Sequence, residues 1–214
     1  MKPFRNSHPT RTYVGAAKAS YKDYRKELEQ DFNGRCAYTD CSQMWWADGF
    51  HIDHFVPKKP KLTDPARMAA FQAREHSYAN LVYACPQVNR AKGNDWPSED
   101  PDVAVVGDRG YVDPCSDFNT LFERTDSGGI VPKDNPIAKY MWEKLRLYLK
   151  RYELYWRIEQ IIIRSKELLR LQEALTLPEA ERVELLESIA DLTREHNKYL
   201  EYLGLHQIEL NKQA

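Results

Sequence analysis

Three short stretches carry residue types that could hydrolyse a phosphodiester. They are Asp53-His54-Phe55-Val56-Pro57, then Asn80-Leu81-Val82, then Cys85-Pro86-Gln87-Val88-Asn89-Arg90-Ala91-Lys92-Gly93. Such hydrolysis needs a group that deprotonates water, a divalent cation that holds the scissile phosphate, and a support that aims the base. Adjacent residues of a strand face opposite ways, so Asp53 and His54 can divide the work, one facing a metal and the other the water. Asn89, projecting from a following helix, can complete a hard oxygen-ligand set with Asp53, and oxygen ligands suit Mg²⁺ or Mn²⁺. Arg90 and Lys92 stand where they could contact phosphates.

The elements that must position these residues can be read from the pattern. Residues 50–56 alternate apolar and polar, as a short strand does, and Pro57 and Pro60 close it. Asp64-Pro65 supplies an N-cap and a first-turn proline for a helix to about Glu75. Leu81 to Ala84 reads as a second strand. A further helix starts near Cys85-Pro86 and runs to about Lys92, with Gly93 as its stop. Upstream, Ala17, Tyr21, Tyr24 and Leu28 make one apolar stripe of a helix over residues 15–33, ended by Asn33-Gly34, and residues 1–12 read as a polar arm. Residues 94–135 are rich in proline and glycine and read as loops. From about Pro136 the texture becomes helical. Met141, Leu145, Tyr148, Tyr152 and Tyr155 step by three or four, as do Val183, Leu186, Ala190, Thr193, Asn197 and Leu200, and Pro178 separates the two runs. A long helical hairpin is expected there.

At Asp53-His54, Asn80 and Asn89 the sequence resembles the HNH endonuclease family, as an H-N-N variant. The resemblance implies a small ββα-metal core with His54 as general base, Asp53 and Asn89 as ligands of one divalent cation, and Asn80 holding the loop that orients His54. It widens through Gly34-Arg35-Cys36-Ala37-Tyr38 and through Tyr111-Val112-Asp113-Pro114-Cys115 followed by Gly129-Ile130-Val131. Over roughly residues 20–135 it is similar to the HNH subunits of Septu-type and retron-associated antiphage systems, which work beside an ATPase. One departure stands out. Many such proteins bind a structural zinc through two Cys-x-x-Cys knuckles, whereas here the stretches read Cys36-Ala37-Tyr38-Thr39 and Cys85-Pro86-Gln87-Val88. Paired loss suggests apolar packing in place of zinc, with a site built from Cys36, Cys41 and Cys85 as the other possibility.

The chain of 214 residues carries a net charge of −1, so no global basic field points to nucleic acid. Charge is unevenly spread: residues 51–93 hold 7 Lys and Arg against 3 Asp and Glu, while residues 101–135 hold 3 against 7. No secretory leader and no apolar run of membrane-spanning length is present, and four cysteines in such a chain suggest metal or free thiols before disulfides, so a cytoplasmic protein is expected.

Each feature has a plainer reading. A lone strand histidine is ordinarily packing, and His54 stands out only with Asp53, Asn80 and Asn89. His51, three residues before His54, points to the other face and reads as structural or solvent-facing. Trp45-Trp46 and Cys115 read as packing, and Arg90 and Lys92 could be a solvated helix face. The expectation is thus an α+β chain, mostly helical. An HNH nuclease domain spans residues 1–135 with its core near 34–95, and a helical hairpin spans 136–214 that could mediate homo- or hetero-oligomers. DNA and an ATPase are the expected partners. The rival is a non-catalytic DNA-binding or scaffold subunit with a decayed core, and RNA is open as a substrate.

Overall fold

The computed structural model describes residues 1–212, with side chains through Gly204; residues 213–214 of the expected hairpin region lie outside. The chain is α+β and divides into two units, Met1–Leu149 and Lys150–Ala214.

In the first unit, Ser20 decides where the first helix begins. Its hydroxyl accepts the Lys22 amide and the Asp23 carboxylate accepts the Ser20 amide, a capping box that opens a 3-10 turn at Tyr21–Tyr24. The α-helix α1 (Arg25–Asp31) follows, and the chain leaves it through Asn33 and Gly34, both at positive φ. The helix expected over residues 15–33 is therefore shorter, because residues 15–19 precede the cap.

Strands β2 (His51–His54) and β3 (Leu81–Ala84) pair antiparallel, with His54 opposite Leu81 and Asp53 opposite Val82. Between them lies α2 (Pro65–Gln72), capped by Asp64, whose carboxylate accepts the Ala66 amide at 2.9 Å. Directly after β3, Pro86 starts α3 (Pro86–Lys92), and Gly93 at φ 54° stops it.

The N-terminal residues are not an arm. Strand β1 (Lys2–Pro3) pairs with β6 (Phe122–Arg124), which pairs with β7 (Ile130–Pro132). Phe4 and Arg5 behind it are buried, and the Arg5 guanidinium donates to the carbonyls of Pro114 and Ala37. Arg124 is 1% exposed and donates to the carbonyls of Phe4, Gly128 and Thr39 at 2.8–2.9 Å, tying three distant segments together. Strands β4 (Val105–Val106) and β5 (Arg109–Gly110) form a small hairpin. Gly110 sits at φ 145°, and a Cβ there would lie 2.2 Å from the Ala104 carbonyl oxygen, so only glycine fits.

Helix α4 (Pro136–Lys144) packs on β5 and β7, so it belongs with the first unit. It does not continue into the next helix. Arg146 adopts φ 55°, its amide bonds to the Glu143 carbonyl, and the Leu147 amide reaches back to Trp142 at 2.9 Å. This is a Schellman stop with arginine at the left-handed position. It breaks the expected stripe, and Tyr148 is exposed with its ring against Trp142.

The second unit is a hairpin of α5 (Lys150–Ala174) and α6 (Glu179–Lys212). The less exposed face of α6 runs Leu185, Ile189, Leu192, His196, Tyr199 and Leu203. The expected stripe of Val183, Leu186, Ala190, Thr193, Asn197 and Leu200 is instead on the exposed side. Both sets step by three or four, and the observed one carries more apolar surface, which is what decides the rotation.

Replacing Arg124 by Leu strands three carbonyls without their charged donor, and urea denaturation should show a loss of about 3 kcal/mol or more. Arg124→Lys, which keeps the charge but not the fork, should fall between.

Candidate active site

His54 ends β2, and its ring is held from two sides. Nε2 lies 2.9 Å from the backbone carbonyl of Glu75, and Tyr21 packs edge-on against the ring at 4.7 Å between centroids. A carbonyl can only accept, so Nε2 carries the proton and the neutral ring keeps its lone pair on Nδ1. Burial lowers the His54 pKa, and the Glu75 carbonyl and Asp53 only partly oppose this, so the ring is neutral at pH 7. A neutral, tautomerically fixed imidazole is the state a general base needs.

Asn80 is what places that carbonyl. Its Oδ1 accepts the Val56 amide at 2.8 Å, and its Nδ2 donates to the carbonyls of Val56 and Arg74 at 3.0 and 3.3 Å. Val56, two residues past the end of β2, and Arg74, the residue before Glu75, are thus fastened to one amide. Lys58 adds a 2.6 Å ion pair with Glu75 and sits 4.6 Å over the Tyr21 ring.

The opposite face of β2 presents His51 and Asp53 to α3. Asn89 meets His51, with Nδ2 and Nδ1 2.9 Å apart. One helical turn on, Lys92 meets Asp53 at 3.3 Å and donates to the His54 carbonyl at 2.6 Å. Asp53 Oδ2, one of the two oxygens that Lys92 contacts, also accepts the Tyr38 hydroxyl at 3.1 Å, and burial beside Asp53 raises the Tyr38 pKa, which keeps it a donor. Lys92 is 1% exposed, so the phosphate contact expected of it is corrected: it is an internal clamp between β2 and α3. Arg90, on the outer side of α3, is exposed. His51 does face away from His54, yet it is a contact of Asn89 rather than an isolated surface group.

In kind, these groups suit a hard divalent cation. The Asp53 carboxylate already holds one cation, Lys92, and the Asn89 amide can turn its oxygen inward. Among the described residues, no three His, Cys, Asp or Glu side chains are gathered as a metal centre.

The cysteines lie elsewhere in the core. Cys36, Cys41 and Cys85 are buried, and none of the four cysteines is in a disulfide. The Cys85 amide donates to Cys36 Sγ at 3.3 Å. Burial pushes the Cys36 thiol up, but hydrogen bonds from Cys85 and Thr39 outweigh it and bring it down to about 6. Val88 and Thr39, which stand at the second positions of the two knuckles, are fully buried as well. Of the tryptophan pair, Trp46 packs on Phe50 and bonds to Gln87, in keeping with a packing role.

No family model, curated protein or solved structure matches the chain.

Sequence reasoning brought Asp53, His54, Asn80 and Asn89 to the right elements but missed three partners. The Glu75 carbonyl is backbone and has no signature in residue type. Lys92 could have been found, since it lies three residues from Asn89 and so shares its helix face. Tyr21 was visible only as part of an apolar stripe. Lys92→Met should cost about 3–5 kcal/mol in chemical denaturation, because it leaves the Asp53 charge buried without its cation. A loss under 1 kcal/mol would mean that Lys92 is no clamp.

Proposed function

We propose that the chain is a metal-dependent endonuclease of the HNH type that hydrolyses DNA phosphodiester bonds. The observation that carries this reading is His54, whose Nε2 is occupied by the Glu75 carbonyl so that Nδ1 is left as the basic atom. The order of β2, β3 and α3, with Asn80 and Asn89 at their places on it, supports reading these elements as a ββα-metal core.

His54 Nδ1 removes a proton from water, and the resulting hydroxide attacks phosphorus while the P–O bond to the leaving oxygen breaks. Asp53 and Asn89 are the residues that would hold Mg²⁺ or Mn²⁺. The ion, when bound, supplies charge stabilisation at the phosphate. Asn80 and the Glu75 carbonyl fix the ring, and the exposed Arg90 faces solvent where a phosphate could approach. Cys36, Cys41 and Cys85 then belong to packing rather than to zinc, with their knuckle partners replaced by Thr39 and Val88. A cytoplasmic antiphage role beside an ATPase partner, with the α5–α6 hairpin as the assembly element, rests on the resemblance alone.

One observation favours a second reading, a scaffold or DNA-binding subunit with a decayed core: the Asp53 charge is already neutralised by Lys92. Supercoiled-plasmid cleavage separates the two. In Mg²⁺ or Mn²⁺, His54→Ala should lose about 10²–10⁴ in rate, the ordinary contribution of a general base. Asn80→Ala should lose activity through disorder of the same ring, with a smaller effect on substrate affinity. Equal cleavage by wild type and His54→Ala would overturn the assignment, and no cleavage by the wild type, alone or with its partner, would favour the scaffold.

A further inference from the structure

The β2 face that meets α3 carries two rungs, because residues two apart on a strand share a face and residues three apart on a helix do likewise. The inner rung pairs Lys92 with Asp53, and both are buried. The outer rung, His51 with Asn89, is only half-buried and stands among positive charges. Arg90 follows Asn89 on α3 and is exposed. Arg25 opens α1, and its Nη1 donates to the Phe50 carbonyl at 2.8 Å, which pins that guanidinium at the residue before His51. Glu29, one turn on from Arg25, accepts the Gln43 amide instead. Among the described residues neither Arg25 nor Arg90 is ion-paired. Burial lowers the His51 pKa, and the charges of Arg90 and Arg25 lower it further against the weaker pull of Asp53.

We infer that Arg25, Arg90 and His51 form a subsite for one phosphate of the DNA backbone, the neighbour of the phosphate that is cut. This rests on the nuclease reading above and goes beyond it by saying where the substrate strand is gripped. The hydrogen bonding of His51 supports it. Asn89 Nδ2 is an amide nitrogen and can only donate, so His51 Nδ1 accepts at 2.9 Å. In the neutral ring the proton then sits on Nε2, which has no partner among the described residues. The outer rung thus offers an N–H donor beside two guanidiniums. Like charges gathered around one imidazole repel each other until an anion joins them. Arginine suits a phosphate in particular, because its fork of N–H groups matches two phosphate oxygens. The spacing fits as well. Two residues along a strand span about 7 Å, close to the step between successive phosphates of one DNA strand. A scissile phosphate at Asp53 and His54 therefore brings its neighbour to His51.

The three side chains contribute differently. The arginines bring charge, so their contact with the phosphate releases counterions and weakens as salt rises. Neutral His51 brings a hydrogen bond without charge, so its loss costs affinity and leaves the salt dependence alone. Because Arg25 and Arg90 share one phosphate, removing both should lower the salt slope by about one contact rather than two.

The test is fluorescence anisotropy of a labelled DNA duplex of about 20 base pairs with the full-length protein, in EDTA, from about 50 to 200 mM NaCl. The double variant Arg25→Gln with Arg90→Gln should bind at least about tenfold more weakly, with its slope of log affinity against log salt reduced by about 1. His51→Phe should bind about tenfold more weakly with the slope unchanged. Arg109→Gln, which removes one charge from the β4–β5 hairpin, should match the wild type. Thermal unfolding checks that each variant is folded, and exposed Arg90→Gln alone decides if the double variant is not. Affinity and slope unchanged in the Arg25 and Arg90 variants, or changed equally in Arg109→Gln, overturn the subsite and leave the nuclease reading to the plasmid assay. No binding by the wild type overturns it as well, and cleavage by that same protein in Mg²⁺ or Mn²⁺ would then show the nuclease reading standing with DNA held elsewhere.

Discussion

The ammonium group of Lys92, closed off from water between β2 and α3, is the constraint on which the site depends. A buried cation is tolerable only when it is paired and hydrogen-bonded, and Asp53 and the His54 carbonyl are what it finds. Both partners belong to consecutive residues of β2. Satisfying one charge therefore fixes the strand against the helix and fixes the residue pair where chemistry is proposed. Tyr38 completes the arrangement by donating to Asp53 Oδ2, while Lys92 lies 3.3 Å from both carboxylate oxygens.

The two faces of β2 do different work because a strand alternates. One face is electrostatic, with the Lys92–Asp53 pair inside and His51 with Asn89 at the rim. The other face is a hydrogen-bonded socket for His54, built from a backbone carbonyl and a tyrosine edge. Asn80 links the socket to the strand. A single side-chain amide bonds to backbone on both sides of the β2–α2–β3 excursion, so the long insertion between the two strands does not loosen the ring. Cross-chain ties of this kind recur away from the site. Arg5 and Arg124 bond the N-terminal segment, the Ala37–Thr39 stretch and the β6–β7 turn through carbonyls.

What the sequence revealed follows the same division. Cys85-Pro86 and Gly93 mark the ends of α3 because proline and glycine act on the local backbone, and β3 was legible as the short apolar run Leu81-Val82-Tyr83-Ala84. The Asp53-His54 step and the two asparagines were legible as residue types at a spacing. Long-range facts were not. Nothing local announces that Lys92 turns inward, that Arg5 and Arg124 enter a core, or that Glu75 contributes its carbonyl rather than its carboxylate. The stop after α4 was missed because arginine, not glycine, takes the left-handed position at residue 146. The rotation of α6 was misjudged because two stripes share its period and only packing against α5 chooses between them.

The base proposed at His54 is a neutral imidazole whose proton sits on Nε2, against the Glu75 carbonyl. Long-range ¹H–¹⁵N correlation spectroscopy of the imidazoles, with His54 assigned by its substitution, reads this directly. The expected result is a neutral ring at pH 7 with Nε2 protonated and Nδ1 bare. A ring protonated on Nδ1, or an imidazolium at that pH, would contradict it.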